Sequence, residues 1–289
     1  MDWLANHPEK GQTFDAFRRS SLQRPDSTRK KIYILPLGEF PEDRSPPLDR
    51  LRDLTSIFFF LETVGLPAEE IGKLKLTTRK NGYTGQRQIL TGDVLNLLKE
   101  RLPADAYCIV AVTMEDLYPD PDWNFVFGEA LLAGRAGVYS FARYDPAFYG
   151  KKRGKDYKSL IYRRSAAVLV HEAGHIFGLD HCIYFSCLMN GSNHLEESDS
   201  QPLFLCPVCL RKLQHVTGFE ATARYRKLLD HYRKNGLEEE AAWIDRRLKK
   251  VAGPKGGGEK EGGKKGAAPK AAGGDRSGPG KAERPSGDR

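Results

Sequence analysis

The residues whose types and spacing are best suited to chemistry are His171, Glu172 and His175, which form the pattern H-E-x-x-H. On an α-helix, residues four apart lie about 40° from each other around the axis and about 6 Å along it. Both imidazoles can therefore bind one ion, and zinc is typical of this arrangement. The glutamate is then placed to take a proton from water that zinc acidifies to a pKa of roughly 7. The spacing predicts metal-assisted hydrolysis with Glu172 as general base.

His181 is predicted to be the third ligand, because a catalytic zinc uses three protein ligands and keeps one position open. An uninterrupted helix would carry a residue six positions beyond His175 about 600° around the axis and about 9 Å along it. Gly178 can adopt the left-handed conformation that ends a helix, so the chain should turn there and bring His181 back. The alternative is a helix with three surface histidines, which its otherwise apolar sequence disfavours.

The complete pattern over 171–181, H-E-A-G-H-I-F-G-L-D-H, is the metzincin signature. Metzincins also place a methionine-containing turn beneath the metal, and Met189 follows His181 by eight residues. This spacing predicts Met189 as the methionine of that turn. A methionine that only fills the core would give the same sequence.

Four of the five cysteines form two pairs, C-x4-C and C-x2-C, separated by 18 residues: Cys182, Cys187, Cys206 and Cys209. Four thiolates so spaced can close a structural zinc site. The stretch between the pairs, Asn190–Pro202, has only Leu195 as a sizeable apolar side chain, so a metal would supply what its packing does not. Two disulfides or free thiols are the alternatives, and a reducing compartment favours the metal. Cys108, alone in an apolar run, is predicted to be a core residue.

The elements before this motif are predicted to build the sheet that positions it. They alternate as strand, helix, strand, helix, strand: Lys31–Leu37, Leu48–Val64, Leu74–Thr78, a helix from an N-cap at Thr91 to Pro103, and Ala106–Val112. This order is typical of an α/β layer with a mixed, mostly parallel sheet. Two further strands, either of which could be an edge, are predicted at Asn124–Gly128 and Gly137–Arg143.

The motif itself lies at the C-terminal end of a long predicted helix, Tyr157–Leu179, whose middle is apolar. Two more helices are predicted at Phe219–Tyr232 and Leu237–Val251. These elements predict one domain over residues 1–252. Its upper sheet and helix part covers about 30–179, and its lower, zinc-stapled helical part covers about 180–252.

The last segment, residues 253–289, has 12 glycines, four prolines and no aromatic residue. It cannot bury enough apolar surface to offset its ordering entropy, so a disordered tail is predicted. It carries nine Lys or Arg against five Asp or Glu, which is +4 of the formal +8. Because so much of the charge lies there, a nucleic-acid partner is not expected. No run suits a signal peptide or a membrane span, which predicts a cytosolic or nuclear protein without a membrane partner.

The sequence resembles the archaemetzincins, whose hallmark is the metzincin helix followed at once by four cysteines. The hallmark residues here are His171, Glu172, His175, Gly178, His181, Cys182, Cys187, Met189, Cys206 and Cys209. Weaker similarity covers residues 1–235 through the segments DWLANHP, KIYILPLG and NFVFGEA. The resemblance implies a zinc peptidase with one catalytic and one structural zinc ion, with Glu172 as proton acceptor and a peptide or protein as substrate.

Two other functions fit part of the pattern. A matrix metalloproteinase has a similar active helix, but it is secreted and carries a propeptide cysteine, whereas no cysteine precedes Cys108 here. A zinc-stabilised module that binds peptides without cutting them would retain every one of these residues. The sequence predicts neither the cleavage preference nor the oligomeric state.

Overall fold

The computed structural model describes residues 3–20 and 23–251. Within these ranges lie eight strands: β1 (Lys31–Leu37), β2 (Glu62–Gly65), β3 (Thr78–Lys80), β4 (Arg87–Leu90), β5 (Ala106–Thr113), β6 (Asp116–Tyr118), β7 (Gly128–Leu131) and β8 (Ala136–Ser140). The same ranges contain nine α-helices: α1 (Trp3–Asn6), α2 (Phe14–Arg19), α3 (Leu48–Phe59), α4 (Thr91–Glu100), α5 (Tyr157–Ile176), α6 (Leu195–Ser200), α7 (Pro207–Thr217), α8 (Ala221–Lys234) and α9 (Glu238–Val251). The tail predicted at 253–289 lies outside the described residues.

The main sheet has five strands in the order β2-β1-β5-β8-β7. β1 pairs in parallel with β2 and β5, and β5 pairs in parallel with β8. β7 alone runs antiparallel, with Ala130 opposite Gly137 of β8, and forms one edge of the sheet. The prediction of a mixed, mostly parallel sheet is confirmed.

Strand β5 separates two apolar layers and is buried along its whole length. Cys108 and Val110 belong to the cluster that also contains apolar residues of α3 and α5, whereas Ile109 and Ala111 belong to the cluster that contains those of α4. This alternation follows from the two-residue period of a strand, and a strand covered on both faces explains the unbroken apolar run. Cys108 is a core residue, as predicted.

A small second sheet, in the order β3-β4-β6, holds the loop that precedes β7. The backbone oxygen of Asn124 accepts hydrogen bonds from Arg79 at 3.2 Å, from Asn81 at 3.2 Å and from Gln88 at 2.8 Å. Asn81 also donates to the Asn124 side-chain oxygen at 2.8 Å. These bonds fix the path of the segment Asn124–Gly128, which was predicted to be a strand.

Two predicted elements upstream of β4 are wrong in extent. The helix predicted over Leu48–Val64 ends at Phe59, because Phe60 has a left-handed φ of 58°. The residues that follow form β2, which pairs with β1, so long-range pairing outweighs the local helical pattern. Of the strand predicted at Leu74–Thr78, only Thr78 is extended in a ladder.

The predicted N-cap and both later strands are displaced as well. Thr91 is the first residue of α4 rather than its cap, and its hydroxyl donates to the Tyr118 oxygen at 3.4 Å. The strand predicted at Asn124–Gly128 begins only at Gly128. The strand predicted at Gly137–Arg143 is β8, which lies inside the sheet and is not an edge.

The helices α7, α8 and α9 contribute apolar residues to the same core cluster as α3 and α5. The two predicted helices correspond to α8 and α9, whereas α6 and α7 were not predicted. Within the described ranges, no helix is both long and apolar enough to cross a membrane. The cytosolic or nuclear location stays a prediction, and so does the division of residues 1–252 into an upper and a lower part.

Candidate active site

Three histidine side chains meet at the C-terminal end of α5. One ring nitrogen of each of His171, His175 and His181 lies within 4.8 Å of the others. The Nε2 atoms of His171 and His175 are 3.1 Å apart. Two ligands of a tetrahedral zinc ion, each bonded at 2.0–2.1 Å, would be about 3.3 Å apart. The donor set and its spacing therefore fit a zinc ion.

Each of the three imidazoles uses its other nitrogen to contact an oxygen. These contacts are His171 Nδ1 to Leu188 O at 2.7 Å, His175 Nδ1 to Leu179 O at 2.6 Å and His181 Nδ1 to Glu9 Oε1 at 2.7 Å. A carbonyl or carboxylate oxygen only accepts, so Nδ1 carries the proton in each ring. The Nε2 lone pairs are then free for a metal.

The protonation equilibria of two of these histidines favour the metal-binding form. Burial, together with the neighbouring imidazoles, lowers the pKa of His171 well below its ordinary value. Burial also lowers the pKa of His175 to about 4, with His181 as the next cause. Both imidazoles are therefore neutral at pH 7, as a metal ligand must be.

The turn that returns His181 to the other two histidines begins earlier than predicted. Helix α5 ends at Ile176 rather than at Leu179, and Gly178 has a left-handed φ of 82°. The Leu179 N–H donates to the Gly174 oxygen at 3.1 Å, the long hydrogen bond of a Schellman motif. The prediction that Gly178 turns the chain is confirmed.

Met189 is fully buried against the underside of α5. A Cβ atom at Gly174 would come within 2.8 Å of the Met189 sulfur, so a larger residue at this position would require the methionine side chain to shift. The preceding residue, Leu188, supplies the oxygen that holds His171. The position is that of the predicted methionine turn, and its role stays a prediction.

Glu172 lies between the first two histidines in the sequence and lines the same cleft as all three. Burial raises the pKa of its carboxyl to about 7. A cation held by the histidines would lower it again, because an opposite charge favours the carboxylate. The Glu172 carboxyl therefore lines the cleft of the three histidines but is not one of the atoms that converge as possible metal ligands.

The cleft above the histidines has a volume of about 590 Å³. It is lined by residues of α5, by residues from Trp123 to Ala130 and by residues between Ser192 and Pro202. This volume lies within the range of roughly 300–1,000 Å³ that small-ligand sites occupy. The cleft can hold a few residues of a peptide.

The four clustered cysteines converge at a second point. Their sulfur atoms all lie within 4.8 Å of one another, and those of Cys182 and Cys206 are 3.7 Å apart. Four sulfurs at 2.3 Å from one zinc ion would be about 3.8 Å apart, whereas a disulfide requires about 2.05 Å. All four are free thiols, so the arrangement fits a metal and excludes the disulfide alternative.

The surroundings favour the thiolate form at two of the four cysteines: the pKa of the Cys182 and Cys206 thiols is lowered, whereas the neighbouring thiols raise the pKa of Cys187 and Cys209. Hydrogen bonds from Cys187, Cys206 and Cys209 lower the pKa of the Cys182 thiol. The Cys206 N–H points at the Cys187 sulfur at 3.2 Å, and the Cys209 N–H points at the Cys206 sulfur at 3.4 Å. Backbone donors of this kind stabilise thiolates that bind metal.

Sequence comparisons identify the family. A model of peptidase family M54 matches residues 92–215. Archaemetzincin-2 from Macaca fascicularis is 40% identical over 255 residues, which cover 79% of this chain and 71% of that protein. The chain belongs to the archaemetzincin family. It is thereby a member of a family of zinc-dependent metallopeptidases, and the assignment made from the hallmark residues is confirmed.

Two other matches extend this archaemetzincin relationship. Human archaemetzincin-1 is 35% identical over 258 residues, which cover 79% of this chain and 51% of that protein. The crystal structure of a zinc-dependent peptidase from Methanocorpusculum labreanum matches with a TM-score of 0.50 and 25% identity, over 63% of this chain and 99% of that one. The archaemetzincin fold is therefore shared with a solved peptidase.

One residue that contacts the site of this archaemetzincin was missed in the sequence analysis. Glu9 lies 172 positions before His181 and belongs to no motif, so no spacing rule could connect the two. Burial raises the pKa of the Glu9 carboxyl, but hydrogen bonds from His181 and Trp3 outweigh this and hold the pKa below its ordinary value. The only signal was the family-like segment DWLANHP, which ends directly before Glu9 and assigns it no role.

Proposed function

We propose that this archaemetzincin hydrolyses peptide bonds, with a zinc ion held by His171, His175 and His181. The observation that carries the proposal is the convergence of one ring nitrogen from each of the three histidines in a cleft that the Glu172 carboxyl also lines. When bound there, zinc polarises the scissile carbonyl and acidifies water. Glu172 and the three histidines then have separate roles.

Glu172 is the proposed proton carrier. Its carboxylate takes a proton from the attacking water and delivers that proton to the leaving amine, so it acts first as base and then as acid. The three histidines do not exchange protons, because each Nδ1 hydrogen is engaged by an oxygen acceptor.

The four cysteines are proposed to hold a second, structural zinc ion. Their sulfur spacing supports a closed tetrahedral site with no open position for a substrate. Catalytic and structural roles are thus assigned to two different donor sets, nitrogen and sulfur. The expected zinc content is two ions per chain.

Removal and return of metal tests the proposed activity directly. We expect the purified, zinc-loaded protein to cleave members of a peptide library, with products identified by mass spectrometry. Dialysis against a chelator should abolish cleavage, and added zinc should restore it, because no side chain here can polarise a carbonyl as zinc does. A zinc-loaded protein that binds library peptides but cleaves none would instead establish a peptide-binding module.

The edge strand β7 is the proposed binding strand for substrate. Gly128, Glu129 and Ala130 lie on it and line the cleft, and the outer edge of β7 carries no strand among the described residues. An extended peptide can add to such an edge through backbone hydrogen bonds, which tolerate varied side chains.

Backbone pairing at β7 makes substrate binding sensitive to N-methylation. Methylation of a peptide amide that faces β7 should raise KM by at least about fivefold, the equivalent of one hydrogen bond of ~1 kcal/mol. A library peptide identified as a substrate would be N-methylated at each position in turn, and KM measured. The control is the same peptide methylated at an end beyond the cleft. Equal KM for every position would contradict pairing at β7.

A further inference from the structure

The segment from Trp3 to Gln12 packs against the turn that carries the third histidine. Glu9 Oε1 accepts hydrogen bonds from His181 Nδ1 at 2.7 Å and from the Trp3 indole at 2.9 Å. The Trp3 ring meets the His181 ring edge to face, with centroids 5.2 Å apart. One carboxylate oxygen thus joins the N-terminal segment to a predicted metal ligand.

Both ends of this segment are fixed to the body of the protein. At one end, the Trp3 N–H donates to Glu197 at 2.6 Å, and the indole lies so close to Gly191 that a Cβ there would be 2.4 Å from its nitrogen. At the other end, the Gln12 amide donates to the Gly178 oxygen at 3.0 Å and accepts from the Asp180 N–H at 3.3 Å. Glu9 is therefore held in place from both sides.

The three histidines differ in what orients them. His171 and His175 extend from a rigid helix, and backbone oxygens accept their Nδ1 hydrogens. His181 lies beyond the end of that helix, where the chain is irregular, and its Nδ1 hydrogen is accepted by a charged side chain. The ligand with the least support from secondary structure is the one with a carboxylate partner.

We propose that Glu9 is a positioning residue for His181, so that the N-terminal segment completes the catalytic metal site. This inference rests on the proposed function, because it takes His181 as a ligand. The carboxylate fixes the ring orientation and the Nδ1–H tautomer, and its negative charge makes Nε2 a stronger donor to a cation. Its second oxygen, Oε2, is shielded from solvent and has no hydrogen-bond partner among the described residues, so the contacts of this carboxylate to His181 and Trp3 are made by Oε1.

Direct measurement of zinc affinity at the histidine site tests this role. Zinc would be titrated against a competing chelator in the full-length protein, and the signal of the cysteine site would be taken from a His171→Ala variant. Glu9→Ala should weaken zinc binding at the histidine site by about 10- to 100-fold, as loss of a partner of a metal-bound histidine commonly does. Glu9→Gln, which keeps an acceptor but loses the charge, should show a smaller loss.

The control matched to Glu9→Gln is Asp15→Asn, which removes one negative charge from the neighbouring helix α2. Asp15 is exposed on α2 and, among the residues that the structure describes, pairs only with Arg18 at 3.8 Å, so the zinc affinity of the Asp15→Asn variant should equal that of the wild type. A second readout is the visible absorption of the cobalt-substituted enzyme, which should change in Glu9→Ala and not in Asp15→Asn, because it reports ligand geometry rather than stability.

Unchanged zinc affinity and cobalt spectrum in both Glu9 variants would overturn the role of Glu9 and leave the proposed function intact. A wild-type protein that binds no metal at the histidines would overturn both. Glu9→Ala could weaken zinc binding by lowering the melting temperature, so the comparison then uses Glu9→Gln, provided that this variant melts like the wild type. Weaker zinc binding by Glu9→Gln supports the inference, and binding equal to that of the wild type overturns it.

Discussion

Replacement of Glu172 by glutamine should abolish peptide hydrolysis and leave the zinc content unchanged. Glutamine has nearly the same shape but cannot accept the proton of the attacking water, and general-base catalysis contributes about 10²–10⁴-fold to a rate. Glu172 does not belong to the group of converging ligands, which consists of His171, His175 and His181, so the metal should remain bound. The measurement is kcat/KM on a library-derived peptide, together with zinc per chain by elemental analysis.

Two further variants serve as controls for this experiment. Glu196→Gln makes the same chemical change at an exposed glutamate near the cleft and should retain full activity, because within the described part of the chain Glu196 pairs only with His194, at 3.3 Å. His171→Ala should lose hydrolysis and the catalytic zinc together. A Glu172→Gln enzyme that still cleaves peptides, after contamination by wild type is excluded, would show that another group accepts the proton.

The metal-site residues could be predicted because their geometry is local. The spacing of His171 and His175 is fixed by the helix repeat, and Gly178 has a conformation that glycine adopts without strain. These rules predict that His181 returns to the other two histidines within a motif of eleven residues. The four cysteines required only that two short pairs approach each other, which a shared metal itself would favour.

The features that sequence could not provide depend on contacts between distant residues. Glu9 reaches His181 only because Trp3 and Gln12 anchor its segment on the folded body. Phe60 ends α3 in a left-handed conformation so that the next residues can pair with β1, and nothing in the local pattern requires this. In both cases the tertiary structure decides, which is why local propensity fails there.

The edge strand of the sheet, which is the proposed binding strand for substrate, likewise could not be predicted from the sequence. The sequence predicted two candidate edge strands, yet β8 is enclosed and β7 begins at Gly128, at the end of the predicted run. The run before it is tied to the small sheet instead, because Val126 bridges Leu117 of β6 and the side chains of Gln88 and Arg79 bind the Asn124 oxygen. Which strand can receive a substrate is therefore set by topology.

Loss of the cysteine site should disable the catalytic site as well, because the two are joined by backbone. His181 and Cys182 are adjacent, with Cα atoms about 3.8 Å apart. The Cys182 N–H donates to the Met189 oxygen at 2.7 Å, and Leu188 beside it holds His171. Two of the three histidines are thus supported by the segment that the cysteines enclose.

Cys206→Ser is the variant that tests this coupling. Cys206 caps α7, where its sulfur accepts from the Cys209 N–H at 3.4 Å, and its own N–H points at Cys187. Serine keeps the cap but is a poor zinc ligand, so the change acts through the metal. Structural zinc binds zinc-finger peptides with about 10–16 kcal/mol, comparable to the whole stability of a domain of about 5–15 kcal/mol. We expect fewer than two zinc ions per chain, a lower melting temperature and loss of hydrolysis.

Cys108→Ser provides the matched control, since it makes the same substitution at a buried cysteine that belongs only to the core. Its stability should fall, because a hydroxyl replaces a sulfur in an apolar layer, but it should keep both zinc ions. The two variants separate general destabilisation from loss of a metal. A wild-type protein with a single tightly bound zinc, or a Cys206→Ser enzyme with full activity, would show that the cysteines are not a structural zinc site. Two zinc ions in Cys108→Ser beside fewer in Cys206→Ser would establish that the metal, and not core packing, keeps His181 within reach of the catalytic ion.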